Sequence, residues 1–214
     1  MFRKFAIEIE RTVDAEALAW PESDMCEDDC NLDCNREYRD LRGASWEEAA
    51  RALALEESLL ERLKSADDLA TTLDSISDEL YEDDEGLWGL DIGVASTVIA
   101  LSAARCIPST SCNGGCFGDH HHESHPLVSF YAKPAWVPYL LAAAEEAKVG
   151  LINEDSGSIL VYADNISSMM LFASTLIARR REVGKLNIGS RSTSQGGSSE
   201  EAKHNYELPF PPME

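Results

Sequence analysis

Basic residues are scarce in this chain. Its 214 residues hold 18 lysines and arginines against 39 aspartates and glutamates, a formal net charge of −21. Such a field repels a phosphate backbone, so a nucleic-acid partner would require a local basic patch. The one candidate patch is Arg179, Arg180, Arg181 and Lys185. Its place at the end of an apolar helical pattern gives it a simpler role, opposite the helix dipole. Long apolar runs are also missing. The most apolar stretch, Ile92 to Ala104, is well short of the ~20 residues that a membrane span needs. The opening MFRKFAIEIE carries basic residues with no continuous apolar run after them, so no secretory signal is expected. These absences point to a cytoplasmic protein. In that compartment six cysteines favour free thiols or metal ligands over disulfides.

What is present is ordinary for a folded chain. Apolar residues make up 44% and charged residues 27%, enough to build a core. The expected class is α/β, a two-layer sandwich with a mixed or mostly antiparallel sheet and a helical N-terminal extension. Four segments are expected: an acidic, cysteine-containing segment over 1–42, a helical hairpin over 43–86, an α/β core over 87–188 and a disordered tail over 189–214.

In the first segment, partial alternation of Phe2, Phe5, Ile7 and Ile9 suggests a short strand. Cys26, Cys30 and Cys34 follow at four-residue spacing, which would bring them near one face of a helix. Three thiols fall short of the four ligands an iron–sulfur cluster takes, and an acidic solvated segment is the simpler account. Ser45 with Glu48 forms a capping box and starts a helix. Ser65 with Asp68 suggests a second start. Leu69, Leu73, Ile76 and Leu80 then make a narrow apolar stripe that packs on the core or forms a dimer seam.

The core begins with Asp91 as an N-cap and a helix that is apolar or small nearly all round, hence buried. Strands are expected at Cys106–Ser111 and Leu127–Ala132. A helix follows from Pro134, with Gly150 at its C-terminal cap. A hairpin pairs Leu151–Asn153 with Ser158–Ala163. Asp164 caps a last helix through Ile166, Met169, Met170, Ala173, Leu176 and Ile177. The tail is rich in Ser, Gly and Pro and lacks the apolar content to order itself. A protein partner could engage the helical hairpin or the YELPFPPM end.

The most specific stretch is IPSTSCNGGCFGDHHHESHPLV, residues 107–128, which carries four of the chain's five histidines. Thiolate and imidazole together suit zinc. The candidate ligands are Cys112, Cys116, His120, His122 and His125; adjacent histidines are expected to point differently, which makes His121 the weakest member. The spacing matches no standard zinc finger. The same stretch offers Ser109, Thr110, Ser111, Asn113, Gly114 and Gly115 as hydroxyl and backbone donors for a small ligand or anion, although a P-loop lysine is lacking. Cys112 beside a histidine could also act as a nucleophile.

Ser111, Cys112, Asn113 and Gly114, with Ser109 and Thr110 before them, resemble the Ser-Ser-Cys-Ser-Gly-Arg signature of the wybutosine-synthesis methyltransferases, the third enzyme of that tRNA pathway. The resemblance spans about Leu87 to Arg181. It implies an α/β domain with the motif between a helix and a strand, and S-adenosylmethionine as cofactor for an RNA or nucleotide substrate. The chain departs from that pattern where Gly115 replaces the family's arginine and where the histidine run is added. It also resembles bacterial proteins of unassigned activity with a Ser-Cys-x-Gly loop. The leading expectation is a metal- or small-ligand-binding module acting through a partner, with a methyltransferase-like enzyme as the alternative.

Overall fold

The computed structural model describes residues 2–35, 38–82, 86–118 and 123–183. Among the described residues, short 3-10 turns aside, there are five α-helices and five strands: β1 (Arg11–Thr12), α1 (Trp46–Lys64), α2 (Leu69–Glu82), α3 (Ala95–Ala103), β2 (Ile107–Cys112), β3 (Leu127–Tyr131), α4 (Val137–Ala147), β4 (Gly150–Asn153), β5 (Ile159–Tyr162) and α5 (Ile166–Ala178). The sheet order is β1-β4-β5-β3-β2. β1 runs parallel to β4, and the other pairings are antiparallel. This is an α/β fold with a mixed sheet, as the residue pattern implies. The tail over 189–214 lies outside the described residues. Among the described residues no helix is long and apolar enough to cross a membrane.

Alternation along the strands assigns the two sheet faces. Val128, Phe130, Leu151, Ile159 and Val161 join the main core with residues of α1, α3, α4 and α5. α3 is buried at every position, as its all-round apolar character requires. Two of its polar side chains turn back to backbone: Thr97 Oγ1 donates to the Met169 carbonyl at 2.9 Å and Ser102 Oγ to that of Val98 at 3.0 Å. α1 packs on α3 and α5, so its apolar stripe is part of this core. Ile76 of α2 is fully buried in it as well.

The other sheet face is covered by the N-terminal residues. Ile7 and Ile9 pack on Cys112, Leu127 and Tyr162. Cys26, Leu32 and Tyr38 pack on Ile107 and Tyr131. The acidic segment is therefore a strap that buries its sparse apolar residues, with Cys30 and Cys34 exposed. It forms three successive 3-10 turns, Ser23–Cys26, Asp28–Cys30 and Leu32–Cys34, so its cysteines share no helix face.

Local expectations hold where neighbours within four residues decide them. The Ser45–Glu48 capping box is present. The β4–β5 hairpin forms, with Gly157 at φ +81° in its turn. Pro108 restricts its strand to an edge position or places itself at the strand's start, and β2 is an edge strand. Other expectations are corrected. Residues 2–9 form no strand; pairing begins at Arg11, where β4 is the partner. Ser65 closes α1, its Oγ donating to the Glu61 carbonyl, and Asp68 alone caps α2 by accepting from the Ala70 and Thr71 amides. Lys148, at φ +59°, ends α4, while Gly150 stands in β4 opposite Tyr162. A Cβ at Gly150 would lie 2.3 Å from that ring, so only glycine lets the tyrosine cover it. Asn165, not Asp164, caps α5 through the Ser168 amide at 2.9 Å.

Candidate ligand site

β2 and β3 are neighbours, paired from Ile107↔Tyr131 to Cys112↔Leu127 with an irregularity between Pro108 and Thr110. The segment that joins them runs over residues 113–126, and its first residue, Asn113, is tied both to the turn before α3 and to the loop itself. The Asn113 amide donates to Asp91 Oδ2 at 3.2 Å, its Nδ2 donates to the Ile92 carbonyl at 3.3 Å, and its Oδ1 accepts from the Gly115 amide at 2.9 Å. Gly114 and Gly115 have φ values of +69° and +66°, a region glycine enters without steric cost. A Cβ at Gly114 would lie 2.4 Å from the His125 backbone, so the two ends of the loop close on each other here.

Cys112 Sγ is the point on which both ends converge. It accepts from the Gly114 amide at 3.3 Å and from the Glu123 backbone. Burial nevertheless pushes the thiol pKa up, against those two hydrogen bonds. Cys112 packs with Leu127 and Tyr162 on the strap side of the sheet, whereas Cys116 belongs to the main core. His125 stands edge-on to Tyr162 with ring centroids 5.6 Å apart, and its burial lowers its pKa. His120, His121 and His122 lie outside the described residues. Among the described residues no group of three or more His, Cys, Asp or Glu is arranged to hold a metal ion.

The hydroxyl residues of the same stretch divide differently. Ser109 is buried, with its Oγ donating to the Ser129 carbonyl and its own carbonyl accepting from Asn35 Nδ2 at 2.8 Å. Thr110 and Ser111 are half-buried and line an open cleft of about 940 Å³ along the outer edge of β2. The opposite wall comes from the strap, through Asp28, Asn35, Tyr38, Arg39, Asp40 and Leu41. Its end is the turn Trp88–Asp91, which also borders a smaller recess of about 280 Å³ beside α2 that Asn113 and Phe117 line. Thus Thr110 and Ser111 reach the cleft, whereas the Gly114 and Gly115 amides are engaged inside the loop.

The turn itself is unusual. The Leu90 amide donates to the Leu87 carbonyl at 2.9 Å, and both central residues, Trp88 at φ +54° and Gly89 at φ +74°, are left-handed, as in a type I′ turn. A bulky residue held there costs of order 1–3 kcal/mol, and such strain gathers at functional sites. Sequence reading missed Tyr38, Arg39, Trp88 and Leu90 as site residues. A basic residue inside an acidic tract, and Trp-Gly after a charge run, were the available signals. No family model, curated protein or solved structure matches this chain.

Proposed function

We propose that this chain is a small-ligand-binding module and that its site is the cleft beside β2. The observation that carries this reading is the cleft itself. Its volume falls within the ~300–1,000 Å³ range of small-molecule sites, and it is lined by a mixture of apolar, aromatic and convergent polar groups of the kind such sites use. Thr110 and Ser111, two residues expected to contact a ligand, lie on its wall. The described lining offers hydroxyls, a guanidinium and carboxylates without histidine or cysteine, a set that favours binding over nucleophilic chemistry.

The test is an amide-detected NMR titration of the full chain with a fragment set that includes S-adenosylmethionine, the cofactor implied by the Ser-Cys-x-Gly resemblance. Saturable shifts should gather at Thr110, Ser111 and Trp88–Asp91, and Ser111→Trp should abolish them while the melting temperature holds. Shifts scattered over the surface, or unaffected by that variant, would sink the reading.

A zinc site in the loop is a second reading. It is supported by the convergence of both loop ends on Cys112 Sγ, since hydrogen bonds to a ligating atom orient it toward a metal. The residues that would complete such a site are Cys116, His120, His122 and His125.

A further inference from the structure

We propose that the β2 cleft takes a small molecule carrying a carboxylate or phosphate together with a flat apolar ring, with Arg39 holding the anion and Trp88 beside the ring. This rests on the cleft being a ligand site.

The charges in the cleft carry the first step. Its described lining contains three aspartates and one cation. Each aspartate has a partner within the chain. Asp40 is gripped by the Arg42 guanidinium at 2.6 Å, which holds its carboxyl below the usual range. Asp28 Oδ1 accepts the Asp40 amide at 2.5 Å, and Asp91 Oδ2 accepts the Asn113 amide. Arg39 is exposed, and among the described residues it forms no hydrogen bond or ion pair. With 39 acidic residues against 18 basic ones, an arginine beside three aspartates would be expected to pair. Among the described residues its fork of donors stays open, and that fork matches a carboxylate or phosphate in two parallel hydrogen bonds.

The strained turn carries the second step. A Cβ at Gly89 would lie 3.7 Å from Arg39 Nη2 and 3.8 Å from Cζ, so the guanidinium rests beside the bare glycine of the Trp88–Gly89 turn. The left-handed Trp88 puts a half-buried indole into the same lining. Leu41, Leu90 and Tyr38 add apolar surface, and Thr110 and Ser111 add hydroxyls. A guanidinium, an indole and aliphatic walls in one cleft recognise an anion attached to a ring; an aromatic face favours a stacked or edge-on ring.

The experiment is an NMR titration of the full chain with 3-phenylpropionate, phenyl phosphate and the neutral 3-phenylpropanamide. At least one anionic probe should shift the Trp88 indole and the Thr110 and Ser111 amides saturably, with the neutral probe about tenfold weaker or more, the scale of a charge-assisted contact. Which anion binds decides between carboxylate and phosphate. Arg39→Gln should remove that advantage while leaving the neutral probe's affinity unchanged, and Arg39→Lys should restore part of it. Arg39 is exposed, so these variants should keep the parent's amide spectrum. Neutral and anionic probes binding equally, or Arg39→Gln changing nothing, would overturn the inference and leave the cleft reading standing. No probe of either kind shifting the cleft would overturn both.

Discussion

Glu56 and Gly93, 37 residues apart, meet at 2.7 Å where the Glu56 carboxylate accepts the Gly93 amide. The same carboxylate accepts the Ala95 and Ser96 amides at 3.0 and 3.1 Å. Glu56 is fully buried. It therefore serves α3 as an N-terminal cap delivered from α1, satisfying donors that a helix start leaves open. Asp91, the expected cap, uses its carboxylate on Asn113. Glu56→Ala would leave the buried Gly93 and Ser96 amides unpaired and the Ala95 amide with only its longer bond to the Asp91 carbonyl, and should cost about 3 kcal/mol or more in urea denaturation. Glu56→Gln keeps an acceptor oxygen and should cost much less.

The Glu56 pKa is raised because burial outweighs the hydrogen bonds that favour its ionised form. An acid raised in the fold contributes stability that is fully present below its unfolded value near 4.5 and lost as pH rises through the folded value. Glu56→Gln removes this titration. The stability difference between wild type and Glu56→Gln should thus shift against the wild type as pH rises above that unfolded value. A difference independent of pH would contradict the burial of an ionisable group there.

Val98 is 4% exposed within α3. Val98→Asp would strand a charge in the core and should cost about 3 kcal/mol or more. Chemical denaturation measures this, and a variant as stable as the parent would place α3 outside the core.

Gly114→Ala must take a left-handed φ and meet the His125 backbone. It should destabilise the protein by about 2 kcal/mol or more and shift the amides of the loop. Gly43 also has a positive φ but has nothing within 4 Å of its Cβ position. Gly43→Ala should therefore cost less, and thermal melts of the pair separate strain from collision.

The zinc reading makes its own prediction. Protein purified without a polyhistidine tag should contain stoichiometric metal, and Cys112→Ser with Cys116→Ser should release it and make the loop protease-sensitive. Metal-free protein that takes up no zinc or iron at micromolar concentration would remove that reading.

If residues 189–214 are the disordered tail expected from their composition, deleting them should leave the melting temperature unchanged. A large fall would show that Tyr206 or Phe210 docks on the core.

The residue pattern by itself determined the helix–strand order from α3 to α5, the burial of α3 and the Ser45–Glu48 start of α1, and Pro108 narrowed β2 to an edge strand or a strand that starts there. Each depends on periodicity, on a cap a few residues away or on proline's missing amide. It also singled out the 107–128 stretch, because cysteine, histidine and glycine are concentrated there. Only the tertiary structure decided which residues of that stretch face a cleft. Thr110 and Ser111 do so because the strap and the Trp88–Asp91 turn converge on the outer edge of β2, while Asn113, Gly114 and Gly115 fold inward. The strap's place, the β1–β4 pairing and the Glu56 cap have the same origin. Each joins segments far apart in the chain, and such pairings are selected by the burial and hydrogen bonding of the whole fold, which local spacing does not encode.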